Sequence, residues 1–189
     1  MSDRAQYAPG PASGARVERE GDRWTLILVR ELRHSPAMVW EALTDPAQLS
    51  EWAPFDADRN LAAVGPVKMS MARTPKPHVF ETAVTRADAP SLLKYSWGGS
   101  DLRWELEPLG SGTRLTLWHN IDRRFISWGA AGWHISFDVL DHLLSGTPID
   151  RIAGAEAMKV SGWQRLNAEY AKRFGIEPRA WPPQAAQKL

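Results

Sequence analysis

The chain has 189 residues, with 23 basic and 22 acidic side chains, a net charge of +1 and no cysteine. Balanced charge argues against nucleic acid or an anionic membrane surface as the main partner. The lack of cysteine excludes disulfides, thiolate nucleophiles and Cys-ligated metals.

Hydrophobic residues make up 43% and charged residues 24%, which is ordinary globular usage and fits one domain with a sizeable core. Residues 1–16 are rich in Pro, Gly, Ala and Ser. They lack the apolar stretch of a signal peptide and read as a flexible tail. No later run approaches the roughly 20 apolar residues of a membrane helix, so the expected compartment is the cytoplasm. Residues 23–33, R-W-T-L-I-L-V-R-E-L-R, form a first strand between Gly21-Asp22 and Ser35-Pro36. Ser35 is an N-cap, and Pro36 takes the first helical position, where its missing N–H is harmless. Val39, Trp40 and Leu43 give that helix an apolar stripe. Asp45-Pro46 repeats the device, with Gln48 three residues after the cap and Leu49 and Trp52 facing inward.

From 59 to 118 the turn signals recur about every 10 residues, the spacing of an antiparallel meander. Gly65-Pro66, a turn at Thr74-Pro75-Lys76-Pro77, Ala89-Pro90, Gly98-Gly99-Ser100 and Gly110-Ser111-Gly112 separate five β-rich runs. Leu102, Trp104 and Leu106 alternate with Arg103, Glu105 and Glu107, so one face is buried and one is wet. In the next run Leu115, Leu117 and His119 alternate with Thr116 and Trp118, and either set is able to face inward. Residues 120–132 read as a loop or helix entry. Residues 133–144 read as a helix with Trp133, Phe137, Leu140 and Leu144 on one stripe. Residues 149–159 leave a further short helix open. The closing helix is 160–174, where Trp163, Leu166, Tyr170 and Phe174 share a face and Gly175 sits at the C′ position. The tail at 176–189 is Pro/Ala/Gln-rich and loose, with Trp181 available to dock on the body.

The order of strand, two capped helices, several strands and closing helix carries a resemblance. So do L-R-H-S-P-A-M-V-W-E-A-L-T-D-P-A-Q-L-S-E-W at 32–52 and G-W-Q-R-L-N-A-E-Y-A-K-R-F-G at 162–175. Together they resemble the Bet v 1/START-like (SRPBCC) superfamily, in particular its branch similar to the C-terminal domain of the activator of the Hsp90 ATPase. W-E-L-E-P-L at 104–109 and G-T-R-L-T-L at 112–117 look like that branch's paired late strands. Gly132-Trp133-His134 looks like the opening of its penultimate helix, and Trp163 to Tyr170 like its final one. The resemblance covers about 23–175 and implies an α+β helix-grip domain at 17–175. In such a domain a curved antiparallel sheet wraps a long C-terminal helix and leaves an apolar cavity. Members of the superfamily carry lipids and hormones, cyclise polyketides, sequester toxins or act as co-chaperones, so the fold alone does not give the job. The sixteen residues ahead of the domain are too few for the separate Hsp90-binding domain of the eukaryotic co-chaperone.

Three groups of residues are able to carry chemistry. His134, Asp138 and His142 recur every four residues on one helix. The first and third Cα atoms of such a row lie about 12 Å apart, too far for one ion, so no metal is expected. His119, Asp122, Arg123 and Arg124 end a strand and are able to orient a polar ligand group, with His119 and Asp122 as a possible general-base pair. Ser127 or Ser136 with a histidine is a weak hydrolytic candidate, because no G-x-S-x-G elbow is present. The chain has 10 Trp against 3 Tyr and 5 Phe. Of the aromatics, Trp97, Trp104, Trp118, Trp133, Phe137 and Tyr170 are expected on cavity walls, and Trp40, Trp52 and Trp163 in the core. The expected function is binding of a small hydrophobic, aromatic-type molecule, with His119 and Arg123 orienting it and no cofactor. The alternatives are a cyclase or dehydratase using His119 or His134 as acid/base, and a co-chaperone or interaction module with a filled interior. A chaperone partner or a homodimer fits the last.

Overall fold

The computed structural model describes residues 6–72, 74, 76 and 78–180. Trp181 and most of the expected 176–189 tail lie outside these residues, as do Pro75 and Pro77 of the expected turn. Strands β1 (Ala15–Glu20) and β2 (Arg23–Leu32) lead into helices α1 (Pro36–Thr44) and α2 (Pro46–Trp52). Strands β3 (Phe55–Ala57), β4 (Gly65–Met71), β5 (Val79–Asp88), β6 (Leu92–Trp97), β7 (Ser100–Leu109) and β8 (Gly112–Asn120) follow, then α3 (Ile126–Leu144) and α4 (Trp163–Phe174). The eight strands form one antiparallel sheet in the order β1-β2-β8-β7-β6-β5-β4-β3. The fold is the expected α+β helix grip.

The two Pro-led helices form as the sequence dictates. Ser35 Oγ accepts from Met38 N–H at 3.4 Å, and Asp45 Oδ1 accepts from Gln48 N–H at 3.0 Å. Asp45 also ends α1, its own N–H donating to Glu41 O at 2.9 Å. One residue therefore closes one helix and opens the next, which produces the bend. Trp52, carried inward on α2, donates Nε1–H to Ala42 O at 2.9 Å and meets Trp104 edge-on at 6.1 Å.

Pairing in the sheet fixes the faces that alternation left open. His119 stands opposite Leu102, Leu117 opposite Trp104, and Leu115 opposite Leu106, all turned toward the core. Trp118 is paired with Arg103 on the other face, where the guanidinium lies 4.7 Å from the indole centre.

Two expectations are corrected. The helix begins at Ile126, seven residues before the expected 133–144 span. The helix in the grip is α3, not 160–174. Eleven of the 19 residues of α3 are buried, and they point in every direction around its axis. On its sheet side Trp133 and Phe137 pack on Trp104 at 5.4 and 6.0 Å. On its outer side Ser127 Oγ donates to Asn167 Oδ1 of α4 at 2.7 Å, and Trp128 meets Trp163 at 5.9 Å. Helix α4 is thus a cover laid over α3.

Residues 6–16, expected to be loose, make specific contacts. Tyr7 Oη donates to Asp138 Oδ2 at 2.6 Å, Ala12 N–H donates to Glu169 at 2.8 Å, and Arg165 donates to Pro9 O at 2.6 Å. Ala15 and Arg16 already belong to β1. Polar groups on α3 and α4 supply partners that a Pro/Gly-rich composition does not reveal.

After α3 the chain returns to the sheet edge through Arg151, which is 8% exposed. Its guanidinium donates to Ala53 O at 2.6 Å, Phe55 O at 2.7 Å and Asp56 Oδ1 at 2.7 Å. Replacing Arg151 by Met leaves two covered carbonyls without donors and is expected to lower stability by about 2–3 kcal/mol in urea denaturation. Arg151→Lys should not restore it, because an ammonium cannot reproduce the planar fork that spans the three acceptors.

Candidate functional site

A cavity of about 210 Å³ lies between the sheet and the first half of α3. The sheet side is formed by Met71, Trp97 and His119, with Pro54 beside them. The helix side is formed by Trp128, Gly129, Gly132, Trp133 and Ser136. Ile121 and Phe125, from the link between β8 and α3, close one end. The outer cover is Ile152, Ala153, Gly154, Ala157, Met158 and Trp163.

The space exists because side chains are missing where helices approach. Gly129 and Gly132 are three residues apart and so share a face of α3. A Cβ at Gly132 would meet nothing within 4 Å, whereas one at Gly129 would sit 2.8 Å from Ile121 Cδ1. A Cβ at Gly129 would push on the end of the Ile121 side chain, whereas one at Gly132 would stand in open space. Ala153, Gly154 and Ala157 keep the cover equally thin around the 3-10 turn Gly154–Lys159.

His119 is the best-defined polar group on the wall. It is 4% exposed. Trp133 Nε1–H donates to its Nδ1 at 3.0 Å. Indole nitrogen is a donor only, so Nδ1 carries the lone pair and Nε2 the proton. Burial pushes the His119 pKa down to about 4, from the usual 6.5. The ring is neutral at pH 7. Its Nε2 has no hydrogen-bond partner among the described residues.

Of the residues expected on the walls, Trp97, His119 and Trp133 line the cavity. Trp104 and Phe137 lie in the sealed core, each 0% exposed, and Trp104 donates Nε1–H to Tyr95 Oη at 3.0 Å. Trp118 is on the opposite face of the sheet. Arg123 is exposed, its guanidinium 5.5 Å from the Trp24 ring centre. Tyr170 lies on α4, beyond α3. Trp163, expected in the core, lines the cavity although only 1% exposed. The glycines, Trp128, Ile152 and Met158 were not anticipated. Two glycines spaced by three are the available signal, and it lies in 120–132, which the sequence leaves as a loop or helix entry.

The other candidates disperse. Asp122 caps the 3-10 turn Arg123–Phe125 and is held by Arg124, whose hydrogen bonds bring the carboxyl pKa down to about 2. It forms no pair with His119. Asp138 is claimed by Arg30 at 2.6 Å and Tyr7 at 2.6 Å. His134 Nδ1 lies 2.7 Å from Tyr170 Oη, and burial lowers its pKa. His142 is exposed, and among the described residues no three metal-binding side chains converge.

The sequence matches the family described as Activator of Hsp90 ATPase homolog 1-like protein over residues 33–145. That span runs from the residue after β2 to the residue after α3. Helix α4, expected to be the family's final helix, lies beyond it. No curated protein matches the sequence. The fold is similar to that of CalU16 from Micromonospora echinospora, at 21% identity over 88% of this chain and 98% of that one, with a TM-score of 0.60. A conserved protein of unknown function from Enterococcus faecalis is similar at 17% identity, 84% and 89% coverage and TM-score 0.64. An AHSA1-like protein from Aeromonas hydrophila is similar at 16% identity, 65% and 92% coverage and TM-score 0.54. Likeness at these identities speaks for the fold alone.

Burial of neutral His119 has a pH signature. Its folded pKa of about 4 lies below the usual 6.5. Between those values the unfolded chain binds the extra proton, so stability is complete above about pH 6.5 and falls as pH drops toward 4. His134, shifted in the same direction, adds to the slope. The loss of stability between pH 7 and pH 4.5, from denaturation midpoints, should be about 2–3 kcal/mol smaller in His119→Gln than in the wild type. An equal loss in both proteins would contradict a neutral, buried His119.

Proposed function

The chain belongs to the Activator of Hsp90 ATPase homolog 1-like family, and on that footing we propose that it is a cytoplasmic binding protein for a small apolar molecule held between the sheet and α3. The observation that carries this reading is Gly132. A glycine inside a helix costs about 0.5–1 kcal/mol relative to alanine, and here the missing side chain leaves a space lined by indoles and aliphatic groups. Nothing in the packing demands it. Retention of that space at a cost in stability is expected of a site that is filled by something else.

The size narrows the guest. An apolar cavity of about 150 Å³ takes up benzene, so about 210 Å³ suits one substituted ring or two fused rings. The enzyme reading is weakened by the tautomer of His119. For Nε2 to act as a base, the proton would have to sit on Nδ1, facing the Trp133 N–H. The filled-module reading is weakened by the space itself.

Gly132→Ala should raise stability by about 0.5–1 kcal/mol. Gly132→Leu should fold, by circular dichroism, yet fail to bind. The measurement is quenching of Trp fluorescence and the rise in melting temperature on adding naphthalene or isopropylbenzene. Binding to the folded state must raise the melting temperature. Wild-type protein that responds to neither compound would defeat the proposal, and so would a Gly132→Leu variant that responds like wild type.

A further inference from the structure

The His119 side chain gives the cavity a chemical preference. Trp133 takes its Nδ1 at 3.0 Å, which leaves Nε2–H as a fixed donor. Among the described residues, Trp97 Nε1 is the one buried side-chain nitrogen or oxygen that is both fully covered and without a hydrogen-bond partner. His119 Nε2 also lacks a partner among the described residues but is not fully covered, and His119 borders the cavity. The Trp97 ring lies 5.8 Å from the His119 ring on the same wall. The His119 Nε2–H is thus the N–H on that wall that is open and without an acceptor among the described residues. Among the described residues no Lys or Arg side chain lines the cavity to balance an anion.

We propose that the cavity selects aromatic compounds bearing a neutral hydrogen-bond acceptor, a ketone, aldehyde or quinone oxygen, placed against His119 Nε2–H. The inference rests on the ligand-binding reading above and adds the polar half of recognition. A donor fixed in an apolar wall favours a guest whose acceptor meets it, and leaves a hydrocarbon of the same shape with an unpaired N–H. A carboxylate is disfavoured, because its charge would enter an apolar space with only a neutral donor to hold it. His119 acts here as a positioning group rather than a proton carrier.

The test uses the full chain with acetophenone, isopropylbenzene and benzoate at pH 7, titrated by Trp fluorescence and calorimetry. Isopropylbenzene is the more hydrophobic compound, so the quantity that counts is the ratio of its Kd to that of acetophenone, compared between proteins. That ratio should fall about fivefold or more from wild type to His119→Leu. Benzoate should bind wild type more weakly than acetophenone. Nitrogen-15 NMR of wild type supplies an arm independent of variant folding: His119 should show the Nε2–H tautomer, and acetophenone but not isopropylbenzene should shift that proton downfield. An unchanged ratio in His119→Leu, an Nδ1–H tautomer, or preference for benzoate overturns the acceptor rule while leaving apolar binding intact. Failure of all three compounds to bind overturns the binding reading as well.

Discussion

Helix α3 is covered on both sides, and the remaining architecture follows from that. The sheet takes one side through Trp104, Leu26 and Leu28, and α4 takes the other through Trp163, Leu166 and Tyr170. A helix so enclosed must be apolar nearly all round, and the few polar groups it carries must find partners. Asn167 receives the Ser127 hydroxyl, Tyr170 meets His134, and Arg30 holds Asp138. The N-terminal segment then lies across the same polar seam through Tyr7 and Ser13. The cavity is the stretch of this enclosure where α3 carries Gly129 and Gly132.

How much of this was legible depended on whether the signal was local. Ser35-Pro36 and Asp45-Pro46 specify their helices within four residues, and both caps form. The strands were legible because turn residues punctuate them. The choice of gripped helix was not. Periodicity finds helices with one apolar face, and α4 is such a helix, with Trp163, Leu166, Tyr170 and Phe174 inside and Arg165 and Arg173 outside. The signal is strongest for a helix on the surface and faintest for one wrapped on all sides. The clearest amphipathic segment was thus assigned the place that belongs to α3.

The site was legible in the same uneven way. Alternation along β8 separated His119 from Trp118, but the partners across the sheet, Leu102 and Arg103, decide which of them faces inward. Trp97 and Trp133 border the cavity, as large aromatics often do. Trp104 and Tyr170 were misplaced for the same reason, since the property that lines a cavity also fills a core. Glycine was the more discriminating residue. An indole says that space is valued, whereas a helical glycine with nothing beside it says where the space is.

The outer wall of the cavity, from Ile152 to Trp163, comes after residue 145, where the family match stops. The span matched by the family thus supplies the floor and the His119 imidazole, while the residues that follow it supply the roof. Exchange of residues 152–163 alone would recast the shape and width of the cavity, with the sheet, α3 and the His119–Trp133 pair untouched.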